Sequence, residues 1–385
     1  MTFVPFAADV PSFVLPARGL LIEGQRTNSV PNPRGEGAIA GVPGTAPTGW
    51  PLSGSNNGVN FRIAGSGVEQ GIAYVDVEAS GTATATASGF LYFTANTGVI
   101  AAASGQTWTQ SVFVSRIAGS LPAGATTNLF ARFADTGGAS TTDTLTTLVT
   151  VGTGALAGQR YSHTRTTADV TTAWLGGGVR FDGIPAGPVA FTLRIGVPQA
   201  EQGAFASTPI LPPVGTPGAA LRGTDRVAGP LSGLGISPNG ACTILWRGVF
   251  DASNIGTQQT IAACDDGSGN RYETRLTAAG IPEIIRVTGG TPVSQNFGGA
   301  APTPGAIVRA GMCIDGAGRL AGVFAGYNGG AALNVTGGPT SGLTTFRHGT
   351  SQSGFARELW GTTHRLQVLP RVVSDADLAA LVAAF

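Results

Sequence analysis

The chain has 385 residues, 60 of them glycine and 24 proline; its 22 basic side chains, all arginine, stand against 21 acidic ones for a formal charge of +1. That balance removes the electrostatic case for a nucleic-acid or anionic-membrane partner, and no apolar run approaches the ~20 residues of a membrane span. At roughly 100–200 residues per domain the length predicts two domains, and a chain rich in Gly, Pro, Thr and Ser with 11% charged residues predicts strands and tight turns.

Residues 1–28 read as an extended arm. Pro5, Pro11 and Pro16 fix the backbone and remove donors, and so short a segment is expected to lie on its own domain or on a partner. Its opening, "MTFVPFAADVPSFVLP", lacks the basic region and continuous apolar region of a secretory signal.

Residues 29–210 hold a series of short runs, among them "GIAYVDVEA", "WTQSVFVSRI", "TNLFARFAD" and "VAFTLRIGVPQAE", separated by Gly, Pro and Asn clusters. In "WTQSVFVSRI" a period of two sets Trp108, Gln110, Val112, Val114 and Arg116 on one face and Thr109, Ser111, Phe113, Ser115 and Ile117 on the other. Runs of this kind predict an antiparallel sandwich.

Residues 211–226, "LPPVGTPGAALRGTDR", have the composition of a linker. In 227–385 the strand pattern resumes with "CTILWRGVF", "NRYETRLTA" and "HRLQVLPRVV". At the end, Ser374 stands as an N-cap with Asp377 three residues on, which predicts a short C-terminal helix. The fold class is therefore all-β, two antiparallel β-sandwiches after an extended arm.

The chemical motifs are sparse. Cys242, Cys264 and Cys313 match no zinc spacing and read as buried free thiols, and no P-loop, dinucleotide, Gly-x-Ser-x-Gly or His-x-x-x-His pattern occurs. Glycoside hydrolysis needs two carboxylates about 5–10 Å apart. Asp265 with Asp266, or Glu273 with Glu283, could supply them, yet "CDDGSGNRYE" reads more simply as a hairpin turn. Sugar binding needs an aromatic face with hydrogen-bonding neighbours. The groups Asn270, Arg271 and Tyr272, Tyr327 and Asn328, Arg347 and His348, and Trp360 together form the candidate carbohydrate site; Trp108 and Trp174 in the first sandwich read as core or sugar contact, with core packing ahead.

The stretch "GLLIEGQRTNSVPNPRGEGAIAGVPGTAPTGW", followed by "GVEQGIAYVD" from Gly67 to Asp76, resembles the amino-terminal module of head-spike and tail-fibre proteins of tailed bacteriophages and phage-derived gene transfer agents, over roughly residues 12–205. The segment "WGTTHRLQVLPRVVSDADLAALVA" resembles the closing strand and helix of a concanavalin A-like or laminin-G-like sandwich, with "WGTTHRLQVLP" where phage versions read closer to "NGHIRRLRYYP". The resemblance implies a carbohydrate-binding jelly roll at 29–210 and a non-catalytic virion protein, assembled in the bacterial cytoplasm. It implies binding to host surface polysaccharide such as capsule, attachment to other virion proteins through residues 1–28, and a homo-oligomer or multi-subunit spike. A purely structural adaptor and a polysaccharide depolymerase are the alternatives. No cofactor is required; Glu36 and Asp76 are the candidates for a structural calcium. In that family the opening stretch is architectural, and Trp50 is expected in the core.

Overall fold

The structure, a computed structural model, describes residues 12–13, 20–55, 57–95, 97–141, 145–223, 225, 227–327, 332–351 and 357–385. It is all-β, with two antiparallel sandwiches. Among the described residues the only α-helix is Asp375–Ala384, and no helix is long and apolar enough to cross a membrane.

Residues 26–222 form one compact unit. Its five-stranded sheet runs, edge to edge, Arg160–Thr166, Thr107–Gly119, Gly187–Gln202, Ile72–Ala83 and Val59–Glu69. A six-stranded sheet centred on Trp174–Ile184 packs against it. The alternation in "WTQSVFVSRI" appears as expected up to Val114, where Trp108, Val112 and Val114 enter the core with Val75, Val77, Leu193 and Phe181, while Phe113 points the other way and joins Ile72, Leu156 and Val197; a bulge at Ile117 breaks it. Trp50 is in the same core, edge-on to Phe93 at 5.1 Å.

The opening motif is held by its two asparagines. Asn28 is fully buried; its side-chain oxygen accepts from Val30 N and Ala200 N, and its amide donates to the carbonyls of Pro198 and Ile210. Asn32 donates to the carbonyls of Glu36 and Thr48 and accepts from Glu36 N, which closes the "NPRGEG" loop. An amide side chain offers two donors and an acceptor with two lone pairs, so these residues satisfy a loop that no sheet ladder could.

Residues 223–385, with the described residues before 26, form the second unit. Its seven-stranded sheet runs Ser12–Phe13, Leu20–Ile22, Gly361–Leu369, Cys242–Phe250, Ile307–Ile314, Leu320–Ala325 and Ala332–Val335. The facing six-stranded sheet runs Val227–Pro230, Thr345–His348, Gln259–Asp265, Arg271–Leu276, Pro282–Thr288 and Thr291–Asn296. Trp246, Phe250, Tyr272 and Met312 fill the space between them. The helix lays Leu378, Val382 and Phe385 on the outer face of the seven-stranded sheet, against Leu245, Cys313, Ala321 and Val323. Ser374 caps it, accepting from Asp377 N at 3.1 Å, and all three cysteines are buried and free.

The arm and linker boundaries differ from those read in the sequence. Leu20–Ile22 adds to the edge of Gly361–Leu369 in the second unit, and Arg26–Asn28 pairs with Ala220–Arg222 in the first. The chain therefore changes unit after residue 25 and after residue 222, not at 28 and 226. Apolar residues gain by leaving water and an open sheet edge offers them unpaired backbone groups; Pro5, Pro11 and Pro16, on which the extended-arm reading rests, lie outside the described residues.

Candidate functional site

Most of the candidate residues in the second unit are structural. Tyr272 is fully buried and donates its hydroxyl to the Pro339 carbonyl at 2.9 Å. His348 is also fully buried, its ring nitrogens 2.6 Å from the Ile261 carbonyl and 2.8 Å from Thr363 Oγ1, and burial pushes its pKa down to about 4. Trp360 is 7% exposed beneath Gly24, where a Cβ would come within 2.3 Å of the indole. None of the three presents a ring face to solvent: Tyr272 and His348 are turned inward on their strands, and Trp360 is covered by the Gly24 segment.

Arg271 and Arg347 point away from the core, and the structure brings them together across Asp265. Arg347 Nε donates to Asp265 Oδ2 at 2.6 Å, and Asp265 stands opposite Arg271 in the ladder. Arg271 in turn pairs with Glu273 at 3.1 Å, and Arg275 with Glu283 at 2.6 Å, in a layer that excludes most solvent. Glu273 also accepts from the Thr260 hydroxyl, so neither carboxylate of the Glu273 and Glu283 pair is presented over an open cleft. Asn270 serves the hairpin turn, donating to Asp266 Oδ2 at 2.7 Å and accepting from Gly289 N at 2.8 Å. Asp265 and Asp266 accept from Gly267 N and Ser268 N in that turn, as the sequence indicates. Tyr327 is half-buried against Phe324, and burial pushes its hydroxyl up to about 12; Asn328 lies outside the described residues.

The calcium reading does not fit these residues. Both oxygens of Asp76 accept from Arg194, at 2.9 and 3.0 Å, and Glu36 accepts from Gly215 N at 2.9 Å. Among the described residues no three His, Cys, Asp or Glu side chains stand together to hold a metal.

An open cleft of about 490 Å³ lies instead on the first unit. A bulge in Thr107–Gly119 shapes its first wall: Arg116 stands opposite Leu193 and Ala118 opposite Thr192, so Ile117 is an extra residue and is 44% exposed. Bulges bend a strand and re-aim its side chains. Gly119 ends the wall at φ +64°, where a Cβ would lie 2.0 Å from the Ala190 carbonyl oxygen, so the tight return requires glycine. Thr153, Gly154 and Ala155 form the second wall. It is tied down by Ser115 Oγ donating to Gly154 O at 2.7 Å and Arg116 N donating to Gly152 O at 2.8 Å.

Glu69 closes one end. It accepts from Leu156 N and from Arg194 Nη1, both at 2.7 Å, and these bonds, the Leu156 N–H foremost, hold its carboxyl below the usual range. Arg194 grips Asp76 with its other nitrogens and lies over the Tyr74 ring. The cleft thus presents the Glu69 carboxylate, held by Leu156 N and Arg194, the Arg116 guanidinium, which gives one bond to the Gly119 carbonyl and keeps other donors, the Thr153 hydroxyl and an apolar Ile117 surface, a mixture suited to a hydroxylated ligand with an apolar face. Sequence reasoning passed over it; the signal was a pair of opposite charges, Asp76 and Arg194, set between apolar residues in "YVDV" and "LRIG" and facing each other in the ladder.

The fold is similar to the CBM40 of Ruminococcus gnavus IT-sialidase bound to alpha2,3 sialyllactose, at 16% identity and a TM-score of 0.31, covering 39% of this chain and 86% of that one. It is similar to the native heptameric SAP-like pentraxin from Limulus polyphemus, at 14% identity and a TM-score of 0.28, over 37% of this chain and 69% of that one. It is also similar to domains LG4-5 of mouse laminin alpha1 chain, at 9% identity and a TM-score of 0.28, over 70% and 86%. No family model and no curated protein matches the sequence.

Proposed function

We propose that this chain is a non-catalytic spike or fibre protein of a tailed-phage-like particle that binds a cell-surface glycan, such as capsular polysaccharide, through the cleft of its first sandwich. The observation that carries the glycan reading is the cleft itself: Glu69, Arg116 and Thr153 offer charge and hydrogen bonds beside the exposed Ile117. The particle assignment is supported by the sequence resemblance over roughly residues 12–205. Affinity at one cleft is modest, and many copies on one particle raise it. The paired carboxylates that hydrolysis would use are engaged by turns and arginines, which supports binding over cleavage.

The test is adhesion of the purified chain to encapsulated cells and to a capsule-deficient strain, with Arg116→Ala and Ile117→Asp alongside. Capsule-dependent adhesion that both substitutions weaken supports the proposal. Equal, negligible adhesion to both strains favours a structural adaptor, and release of reducing ends from capsule favours a depolymerase.

A further inference from the structure

We infer that the outer face of the seven-stranded sheet carries a second site, for an acidic polysaccharide, built on Arg365, Arg247 and Arg309. The three stand in register on neighbouring strands: Arg247 is opposite Arg365 on one side and opposite Arg309 on the other. Leu245, two residues before Arg247, packs against the C-terminal helix outside the sandwich core, so Arg247 shares that outer face. Opposed side chains in an antiparallel pair have Cβ atoms about 4.5–5.5 Å apart, and like charges so placed are destabilising. An arrangement that opposes folding calls for a counter-ion.

The described residues supply none. Among the described residues no ion pair involves these three, whereas Arg62, Arg194, Arg271, Arg275 and Arg347 each have a carboxylate. Arg365 has a 3.4 Å bond to Gln367 Oε1 and lies over the Phe385 ring. The Nε atoms of Arg247 and Arg309 are buried with no hydrogen-bond partner. The neighbouring His364 is held below the usual imidazole range, by burial first and then by the positive charge of Arg247.

Two features select the ligand class. Arginine forks pair with planar carboxylates by parallel hydrogen bonds, and with strands ~4.8 Å apart the row spans ~10 Å, enough to meet carboxylates on successive sugar units. Beside it on the same face Val249 and Ile307 oppose each other, Ile307 40% exposed, giving an apolar strip for the C–H face of a pyranose. Single-stranded nucleic acid would need aromatic platforms, and Phe385, the ring at this row, is 7% exposed. The occupant is therefore a polyuronate-type glycan. This site and the cleft are on different units, so either can fail without the other.

The experiment titrates the full chain with hexagalacturonate by calorimetry at low and moderate salt, with a neutral hexasaccharide and a short single-stranded DNA as competitors. Arg247→Gln and the double variant R247Q/R309Q are measured in parallel, together with their melting temperatures without ligand. The expected result is salt-sensitive binding that weakens at least about tenfold in the double variant, no competition by the neutral sugar, and an unchanged or higher melting temperature as like charges are relieved. Unchanged affinity in the double variant, equal competition by DNA, or a lower melting temperature showing that the arginines are paired within the fold would each overturn the site.

Discussion

The Arg194 guanidinium lies over the ring of Tyr74, 3.6 Å from its centroid, while its nitrogens hold Asp76 on one side and Glu69 on the other. Glu69 caps the turn at Leu156, so one cation links the sheet to the wall of the cleft. Replacing Arg194 with Met leaves two carboxylates facing each other without a counter-charge. Losing one partner of a buried pair costs about 3–5 kcal/mol; discounted for partial exposure, the expected loss is about 2–3 kcal/mol, and Arg194→Lys, which keeps charge but not the fork, loses less. The sign with pH follows from Glu69. Its folded pKa is depressed, so its contribution is present above the unfolded carboxylate value and is lost as pH falls through the folded one. The R194M defect is therefore largest at neutral pH and shrinks in acid, which denaturant unfolding at several pH values measures.

Leu20 packs against the core of the second unit, Gly24 lies on Trp360, and Glu23 and Asp225 exchange hydrogen bonds at 3.0 Å. Deleting residues 1–25 uncovers Trp360 and opens the edge of Gly361–Leu369. Burial of a large apolar side chain stabilises by about 1.5–3 kcal/mol, so the truncated chain is expected to show a lower melting transition for the second sandwich and an unchanged one for the first. Scanning calorimetry separates the two, and identical thermograms would contradict the assignment of this segment.

The sheets were legible because burial on one face writes a period of two into the strands; "WTQSVFV" shows it at Trp108, Val112 and Val114 against Phe113, and the bulge at Ile117 ends it. The C-terminal cap at Ser374 and the turn at Asp265 and Asp266 were equally local, and they appear where the sequence puts them. What failed was long-range. Nothing near Leu20 announces a partner at Thr363, and nothing beside Trp360 shows that Gly24 covers it. Two of the sugar-site candidates are buried for a related reason: Tyr272 and His348 were chosen by residue type, whereas their exposure depends on strand parity against a facing sheet. The cleft arises from a bulge and a distant loop, neither of which has a composition of its own.

Tyr272→Phe separates a core role from a sugar platform. The substitution keeps the ring, against which Gly338 packs so closely that a Cβ there would lie 2.4 Å away, and removes the bond to the Pro339 carbonyl. A buried acceptor left unsatisfied costs about 1–3 kcal/mol, so a fall of that order in unfolding free energy is expected. Adhesion of the folded protein to encapsulated cells is expected to stay unchanged. A loss of adhesion without a loss of stability would return Tyr272 to the binding surface.

His348 gives the second sandwich a defined response to acid. Its folded pKa of about 4 lies below the ordinary imidazole value, because burial disfavours the charged ring. Between the two values the unfolded chain binds a proton that the folded chain refuses. The stability contributed by the neutral ring is complete above the unfolded value near 6.5 and is lost progressively as pH falls toward 4. At about 1.4 kcal/mol per pH unit the full loss is of order 3 kcal/mol. His348→Gln retains hydrogen-bonding groups toward Ile261 and Thr363 but does not titrate. Its unfolding free energy is therefore lower than that of the parent at neutral pH and converges on it, or crosses it, near pH 4. Parallel curves for the two proteins across that window would show that His348 is not the group responsible.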